Sequence, residues 1–320
     1  MTNRRDFIKG ASFLTLGGLL AGKAGVANAS SHAATTTATQ AAKKQIGLQI
    51  YSLGRELYED VPGGLKKIGQ MGYTTIELAG YRDGKIGNVD MVEFKKMAED
   101  AGLKITSTHV NPPVREYTAS NKGEIADFWK KAADDHAKIG VTYLIQPGQP
   151  STRNVEEVAI VCEVFNQAGE IAKAAGLSFG YHNHDMEFAR VVPGGTDMVF
   201  GRRGFGREQP KGMEVIYDAF IQRTDPSLVF FEMDVYWTVM GQNDPVAYMR
   251  KYADRIRILH IKDKEVLGQS GMMNFENIFK QAYANGIKDY FVELEGITTG
   301  TQFEGVKGCA DYLLKAPFVK

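Results

Sequence analysis

Short apolar runs alternate with longer amphipathic segments along the chain from about residue 45 onward. The short runs are rich in β-branched and aromatic residues, which is typical of buried strands. The longer segments carry apolar residues at helical spacing, and several end in Gly just before the next apolar run, as helices often do. The pattern predicts eight strands, at Ile46–Tyr51, Thr75–Leu78, Lys104–His109, Tyr143–Gln146, Leu177–His182, Leu228–Met233, Ile256–His260 and Tyr290–Leu294.

A helical segment follows each predicted strand. Repeated strand–helix units imply right-handed crossovers and a parallel sheet, and eight units close into an α/β (β/α)8 TIM barrel. One such barrel accounts for residues 45–320 as a single domain. A dinucleotide-binding sheet is disfavoured because no Gly-x-Gly-x-x-Gly follows the first strand. The predicted helices are Gly63–Met71, Met91–Ala101, Gly123–Ile139, Val155–Ala175, Met213–Arg223, Pro245–Tyr252, Phe275–Asn285 and Phe303–Leu314.

Four of the predicted strands finish in His, Asp or Glu, which buried strands have no structural reason to do repeatedly. In a (β/α)8 barrel all strands end at one mouth, where the active site lies. Side chains alternate between the two faces of a strand, so polar residues two apart share the face that enters the barrel. The later member of each pair lies nearer the mouth. The pairs are His182 with His184, Glu232 with Asp234, His260 with Lys262, and Glu293 with Glu295.

Two imidazoles and two carboxylates from successive strands predict a divalent metal site. A mixed His/carboxylate set suits Mn²⁺, Co²⁺, Mg²⁺ or catalytic Zn²⁺. Structural zinc is disfavoured because it prefers closely spaced thiolates, whereas Cys162 and Cys309 lie in separate helical segments. These cysteines are expected either to form one disulfide or to remain as two buried thiols.

Four further polar residues are predicted at the mouth. His109 ends the third strand, Glu77 lies near the end of the second, and Gln146 ends the fourth. Lys262 shares a face with His260 and could donate a hydrogen bond to an oxyanion. A purely structural role is an equally open interpretation for each of them.

Residues 1–29 resemble a twin-arginine signal peptide. Arg4 and Arg5 precede an apolar stretch at 11–21, and small residues at 27–29 suit a cleavage site. A membrane anchor is the alternative, but the apolar stretch is far shorter than a bilayer span. Residues 30–44 consist mostly of Ala, Thr, Ser and Gln and predict a disordered tether. We therefore expect a periplasmic or secreted protein.

The charge balance argues against anionic partners. Loss of residues 1–29 removes four basic groups and one acidic group from 38 of each, which leaves 34 basic against 37 acidic groups and a net charge of −3. Such a chain has no electrostatic reason to bind nucleic acid or an anionic membrane surface. A small-molecule ligand is the expected partner, and an oligomer is compatible with the sequence.

The segment 189–211 departs from the regular spacing. It follows the fifth predicted strand and is rich in Gly and Arg. Loops at this end of a barrel cover the active site, so the segment is either a lid or a solvated insertion.

Several motifs together resemble the xylose isomerase-like TIM-barrel superfamily. Within it, the chain is most similar to the sugar phosphate isomerase/epimerase group that includes inosose dehydratase and the ketose 3-epimerases. The resemblance covers nearly all of residues 45–320. Its motifs are Gly180-Tyr-His-Asn-His-Asp-Met-Glu-Phe188, Glu232-Met-Asp-Val-Tyr-Trp237, Asp244-Pro245, His260-Ile-Lys-Asp263 and Val292-Glu293.

The resemblance implies a ligand set. Such epimerases hold Mn²⁺ with Glu, Asp, His and a second Glu. Asp234, His260 and Glu293 match the last three, whereas His182, with His184 as a rival, stands where the first Glu is expected. This departure weakens a simple two-base epimerisation, although His is a competent base near neutral pH.

The resemblance and the positions of polar residues at the strand ends together suggest further roles. Glu293, His184 and Lys262 are the expected catalytic residues. The residues expected to bind substrate are Glu187, Trp237, His109, Glu77 and Glu295.

The expected activity is that of a metal-dependent sugar isomerase or epimerase, which removes a proton α to a carbonyl and passes through a metal-bound enediolate. A β-eliminating lyase acting on a keto-sugar or 3-keto-glycoside is the first alternative. A non-catalytic sugar-binding protein is the second. A nuclease of the same fold is disfavoured, because it needs three zinc ions and a basic groove, and this chain has only six histidines.

Overall fold

Eight short parallel strands form the centre of the protein, each near the position predicted from the sequence. The computed structural model describes residues 44–200 and 210–320. The barrel strands are β1 (Gly47–Gln49), β2 (Thr75–Leu78), β3 (Lys104–His109), β4 (Tyr143–Gln146), β5 (Ser178–His182), β6 (Val229–Asp234), β7 (Ile256–Ile261) and β8 (Asp289–Val292).

The strands follow one another around the barrel in chain order. Each pairs in parallel with the next, and β1 pairs with both β2 and β8, which closes the sheet. The predicted (β/α)8 barrel is therefore confirmed. Because all strands run in one direction, their carboxyl ends meet at a single mouth.

Ten α-helices lie among the described residues, and eight of them overlap the predicted ones. The two additional helices are α1, which follows β1 after the short 3-10 helix Ile50–Leu53, and α7, directly after β6. The helices are α1 (Gly54–Glu59), α2 (Val61–Gln70), α3 (Met91–Asp100), α4 (Lys122–Ile139), α5 (Val155–Ala174), α6 (Ile216–Arg223), α7 (Val235–Met240), α8 (Pro245–Lys251), α9 (Phe275–Ala284) and α10 (Gln302–Lys315).

Two small antiparallel sheets lie outside the barrel. One has three strands, Tyr81–Arg82, Lys85–Ile86 and Val89–Asp90, and connects β2 to α3. The other pairs Arg190–Val191 with Glu214–Val215. The candidate lid at 189–211 thus begins as a paired strand, whereas its residues 201–209 lie outside the described part of the chain. Its role as a lid stays a prediction.

An apolar layer inside the barrel supports the polar strand ends. Ile145, Phe230, Ile258 and Phe291 form a buried cluster separate from the larger core around the barrel. Gly180 makes room for one of these rings, since a Cβ there would lie 2.5 Å from Cζ of Phe230.

A polar residue stands two positions after each of four interior residues and therefore lies on the same face of its strand. His182 follows Gly180 in this way. Glu232 follows Phe230, His260 follows Ile258, and Glu293 follows Phe291.

Both cysteines are free and buried, as one of the two interpretations expected. Burial raises the pKa of the Cys162 and Cys309 thiols to about 12, so neither is a reactive thiolate near neutral pH. Within the described residues, no helix is long and apolar enough to cross a membrane.

Candidate metal centre at the barrel mouth

Strand register brings the four predicted metal ligands together. In the sheet, His182 at the end of β5 pairs with Glu232, and Asp234 at the end of β6 pairs with His260. Glu293 directly follows β8. One ligand atom from each of His182, Asp234, His260 and Glu293 lies within 4.8 Å of the others. All four residues are buried, and Glu293, the most exposed, retains 6% of its accessible surface.

Asp234 has the features expected of a ligand whose partner is a cation. Its Oδ1 accepts a 2.9 Å hydrogen bond from the Trp237 backbone N–H at the start of α7, whereas its buried Oδ2 has no hydrogen-bond partner. Burial raises the pKa of Asp234 to about 7. A buried carboxyl with an unsatisfied oxygen would gain from a bound cation. Together with two imidazoles and Glu293, this oxygen fits Mn²⁺, Co²⁺, Zn²⁺ or Mg²⁺.

Lys262 lies beside the ligand set. Its Nζ is 3.1 Å from Glu293 Oε2 and 2.5 Å from Glu295 Oε1, and it stands 4.9 Å from the centre of the Trp237 ring. Burial alone would raise the pKa of Glu293, but the charges of Lys262 and His260 outweigh it and hold that pKa well below its usual value. Glu293 is therefore an ionised carboxylate at neutral pH.

His184 lies just past the end of β5 and close to His182. Its ring centre is 5.0 Å from that of His182 and 5.8 Å from that of Trp237. Burial lowers the pKa of His184 below its usual value, so its imidazole is neutral near pH 7. A neutral imidazole next to a metal ligand can act as a proton acceptor.

A second polar cluster lies deeper in the barrel. Oε2 of Glu232 is 2.8 Å from His109 Nε2 and 3.1 Å from His182 Nδ1. His109, His182, Glu232 and His260 also have ligand atoms within 4.8 Å of one another. Strand parity predicts that the Glu232 side chain enters the barrel, as the structure shows, but gives it no role. The feature of the sequence that points to Glu232 is an acidic residue in the middle of a buried and largely apolar strand.

The predicted substrate-binding residues divide into two groups. Trp237 and Glu295 lie next to Lys262, and Glu295 is 39% exposed at its side chain. Glu187 and Glu77 have no accessible surface, and His109 keeps 8%. The structure thus does not bring these last three residues to an open surface.

The contacts of the buried residues favour supporting roles. Glu187 accepts hydrogen bonds from the Tyr181 hydroxyl and the His184 backbone N–H. Glu77 accepts one from Gln49 and one from Ser107. Their substrate contacts stay predictions that this arrangement does not itself support.

Comparisons with known proteins agree with the fold. Residues 65–308 match the model of a family described as xylose isomerase-like TIM barrel. Inosose dehydratase of Clostridium beijerinckii (strain ATCC 51743 / NCIMB 8052) is 25% identical over 225 residues, which cover 64% of this chain and 67% of that protein.

Solved structures extend the comparison. The crystal structure of a sugar phosphate isomerase/epimerase from Parabacteroides distasonis ATCC 8503 is 56% identical, with a TM-score of 0.80, and the match covers 87% of this chain and 100% of that one. An L-ribulose 3-epimerase is 15% identical with a TM-score of 0.63, over 84% of this chain and 93% of that one. At that identity the second likeness shows the fold alone.

Proposed function

Since this chain belongs to the xylose isomerase-like TIM barrel family, we propose that it is a divalent-metal-dependent sugar isomerase or epimerase. The observation that carries the proposal is the convergence of His182, Asp234, His260 and Glu293 at the barrel mouth, with an unpartnered buried oxygen on Asp234. The related Parabacteroides distasonis protein is named for the same class of reaction. These four residues would hold the cation.

A bound divalent cation would polarise a substrate carbonyl and the hydroxyl beside it, which lowers the cost of removing a proton from the adjacent carbon. His184, as a neutral imidazole, or Glu293, as a carboxylate, accepts that proton. The buried ammonium group of Lys262 donates a hydrogen bond to the oxyanion that develops on the substrate. Return of the proton to the other face gives an epimer, and its return to the neighbouring carbon gives an isomer.

A β-eliminating lyase is the second candidate, and the inosose dehydratase relatives favour it. It begins with the same proton removal. The electron pair then expels a hydroxyl or alkoxy group from the β-carbon, and a protonated side chain returns a proton to the leaving oxygen. The sugar or glycoside therefore loses water or an aglycone instead of regaining the proton on carbon.

Hydrogen exchange tests the shared first step. The protein, supplied with Mn²⁺, is incubated in D₂O with free keto-sugars and 3-keto-glycosides. We expect deuterium at the carbon next to the carbonyl, or a primary isotope effect with the deuterated substrate if the proton returns without exchange. A product of equal mass identifies an isomerase or epimerase, whereas loss of water or an aglycone identifies a lyase.

Two histidine variants make this test specific. His184→Gln should slow exchange by about 10²-fold or more if His184 is the base. The matched control is His136→Gln, because His136 is also buried but lies on α4, and its hydrogen bonds within the described residues go to Ala132 O and Thr108 Oγ1. Turnover with neither exchange nor an isotope effect would contradict the proposal, and sugar binding without turnover would favour a binding protein.

A further inference from the structure

Three imidazole rings converge on one carboxylate oxygen below the candidate metal centre. Oε2 of Glu232 lies 2.8 Å from His109 Nε2, 3.1 Å from His182 Nδ1 and 3.3 Å from His260 Nε2. The other oxygen, Oε1, is buried without a hydrogen-bond partner among the described residues. Within the described residues, the hydrogen-bonding partners of the Glu232 side chain are therefore all imidazoles.

Glu77 contacts two of these rings through the same nitrogens as Glu232 does. Its Oε2 lies 2.6 Å from His260 Nε2 and 3.2 Å from His109 Nε2. Gln49 donates to Oε2 at 2.7 Å, and Ser107 donates to Oε1 at 2.6 Å. The Gln49 amide fixes the oxygen as an acceptor, so His260 must be the donor in its contact with Glu77.

The strands are irregular at these two glutamates. The register between β2 and β3 shifts between Ile76 and Glu77, and that between β6 and β7 shifts between Phe231 and Glu232. Such irregularities commonly turn a side chain away from its regular direction near active sites. Both shifts occur where a buried carboxylate meets imidazole rings.

These contacts decide which nitrogen of each ligand histidine can face a cation. His182 gives its Nδ1–H to Glu232, which leaves Nε2 as the lone-pair nitrogen. Both nitrogens of His260 lie against carboxylates, Nε2 against Glu77 and Nδ1 against the ligand Glu293 at 3.2 Å. A cation held by Glu293 would take the place of the Nδ1 proton, which leaves Nε2–H as the donor to Glu77. The two neighbouring histidines therefore present opposite nitrogens to the same centre.

We infer that Glu232 and Glu77 are positioning residues that set these tautomers, so that His182 binds the cation through Nε2 and His260 through Nδ1. This inference rests on the proposed metal centre. A carboxylate that accepts the second N–H of a ligand histidine fixes the ring and makes it a better donor to the metal. Glu232 thus acts through the rings and does not itself contact the cation or the substrate.

Replacement of the carboxylate by an amide tests Glu232. In Glu232→Gln an NH₂ group takes the place of one acceptor oxygen, and it favours the His182 tautomer whose Nδ1 is the acceptor and whose Nε2 carries the proton. We expect Co²⁺ affinity, followed by the visible absorption of the bound ion, to fall about 10- to 100-fold. Glu232→Asp, which keeps the charge, should recover part of the loss.

Ser107→Ala is the matched control. It removes a buried hydrogen bond to Glu77 but touches no imidazole in the described structure. Its Co²⁺ affinity should stay within about threefold of that of the unmodified protein, since the rings keep both carboxylates. An equal loss in both variants would show a general packing effect and would overturn the inference.

Nitrogen NMR of the unmodified protein gives a test that needs no variant to fold. The full chain has six histidines, so ¹⁵N-histidine labelling yields few signals. In the Zn²⁺-loaded protein we expect a protonated Nδ1 on His182 and a protonated Nε2 on His260. The same tautomer on both rings, or unchanged Co²⁺ affinity in Glu232→Gln, would overturn the inference. If the unmodified protein bound neither ion, the proposed metal centre itself would fail.

Discussion

The burial of Asp234 in the candidate metal centre has a cost to folding. Its pKa is raised by burial from an ordinary 3.8 to about 7 in the folded protein. Below about pH 4 the carboxyl is protonated in both states and contributes nothing to stability. As the pH rises toward 7, the unfolded chain ionises and the folded one does not, so the metal-free protein loses stability until the folded carboxyl also ionises.

Asp234→Asn should therefore stabilise the metal-free protein at pH 7.5, although it weakens the ligand set. We expect a gain on the order of a few kcal/mol in the free energy of unfolding, and a smaller gain at pH 4.5. Urea unfolding in the presence of a chelator measures both values.

The matched control, Asp135→Asn, should act in the opposite direction. Burial would raise the pKa of Asp135, but hydrogen bonds from Lys131, Lys138 and Tyr81 lower it to about 2. Its ionised form therefore stabilises the fold above about pH 4, and that stability is lost as the pH falls toward 2. A destabilised Asp234→Asn protein at pH 7.5 would contradict this account of Asp234.

Individual residues were predictable where strand parity decides the outcome. The parity of the strand ends places His182, Asp234, His260 and Glu293 inside the barrel, and the structure brings these four together. Parity does not give the depth or the partners of a side chain. The contacts of Glu232 with rings from three other strands arise only when the barrel closes, so sequence reasoning could not assign them.

At the level of elements, the regular units were predictable and the short ones were not. Alternating apolar runs and helical segments located all eight barrel strands, with shifts of a few residues at their ends. Helix α1, the three-stranded sheet around Tyr81–Arg82 and helix α7 were missed. Two-residue strands and six-residue helices are too short to show a period.

Helix α7 shows why a missed element matters for the site. It begins directly after β6, and Asp234 caps it by accepting a hydrogen bond from the Trp237 backbone N–H. The helix thereby engages one oxygen of the carboxylate, whereas the other oxygen has no hydrogen-bond partner among the described residues. It also carries the Trp237 ring to 4.9 Å from Lys262 Nζ, which places an aromatic surface beside the proposed oxyanion donor.

For the whole molecule, export by the twin-arginine route remains our proposal. The predicted signal peptide and tether lie outside the described residues. Replacement of Arg4 and Arg5 by Lys should keep the protein in the cytoplasm, because the export machinery reads the arginine pair. Cell fractionation measures the distribution, and unchanged secretion of the variant would contradict the proposal.

Metal content tests the central claim most directly. The purified protein is stripped of metal, dialysed separately against Mn²⁺, Co²⁺ and Zn²⁺, and analysed by elemental mass spectrometry together with Asp234→Ala and His136→Gln. The account predicts about one tightly bound ion per chain in the unmodified protein and in His136→Gln, and a loss of binding in a folded Asp234→Ala protein, because Asp234 supplies a charged ligand. A folded, unmodified protein that binds none of the three ions would contradict it.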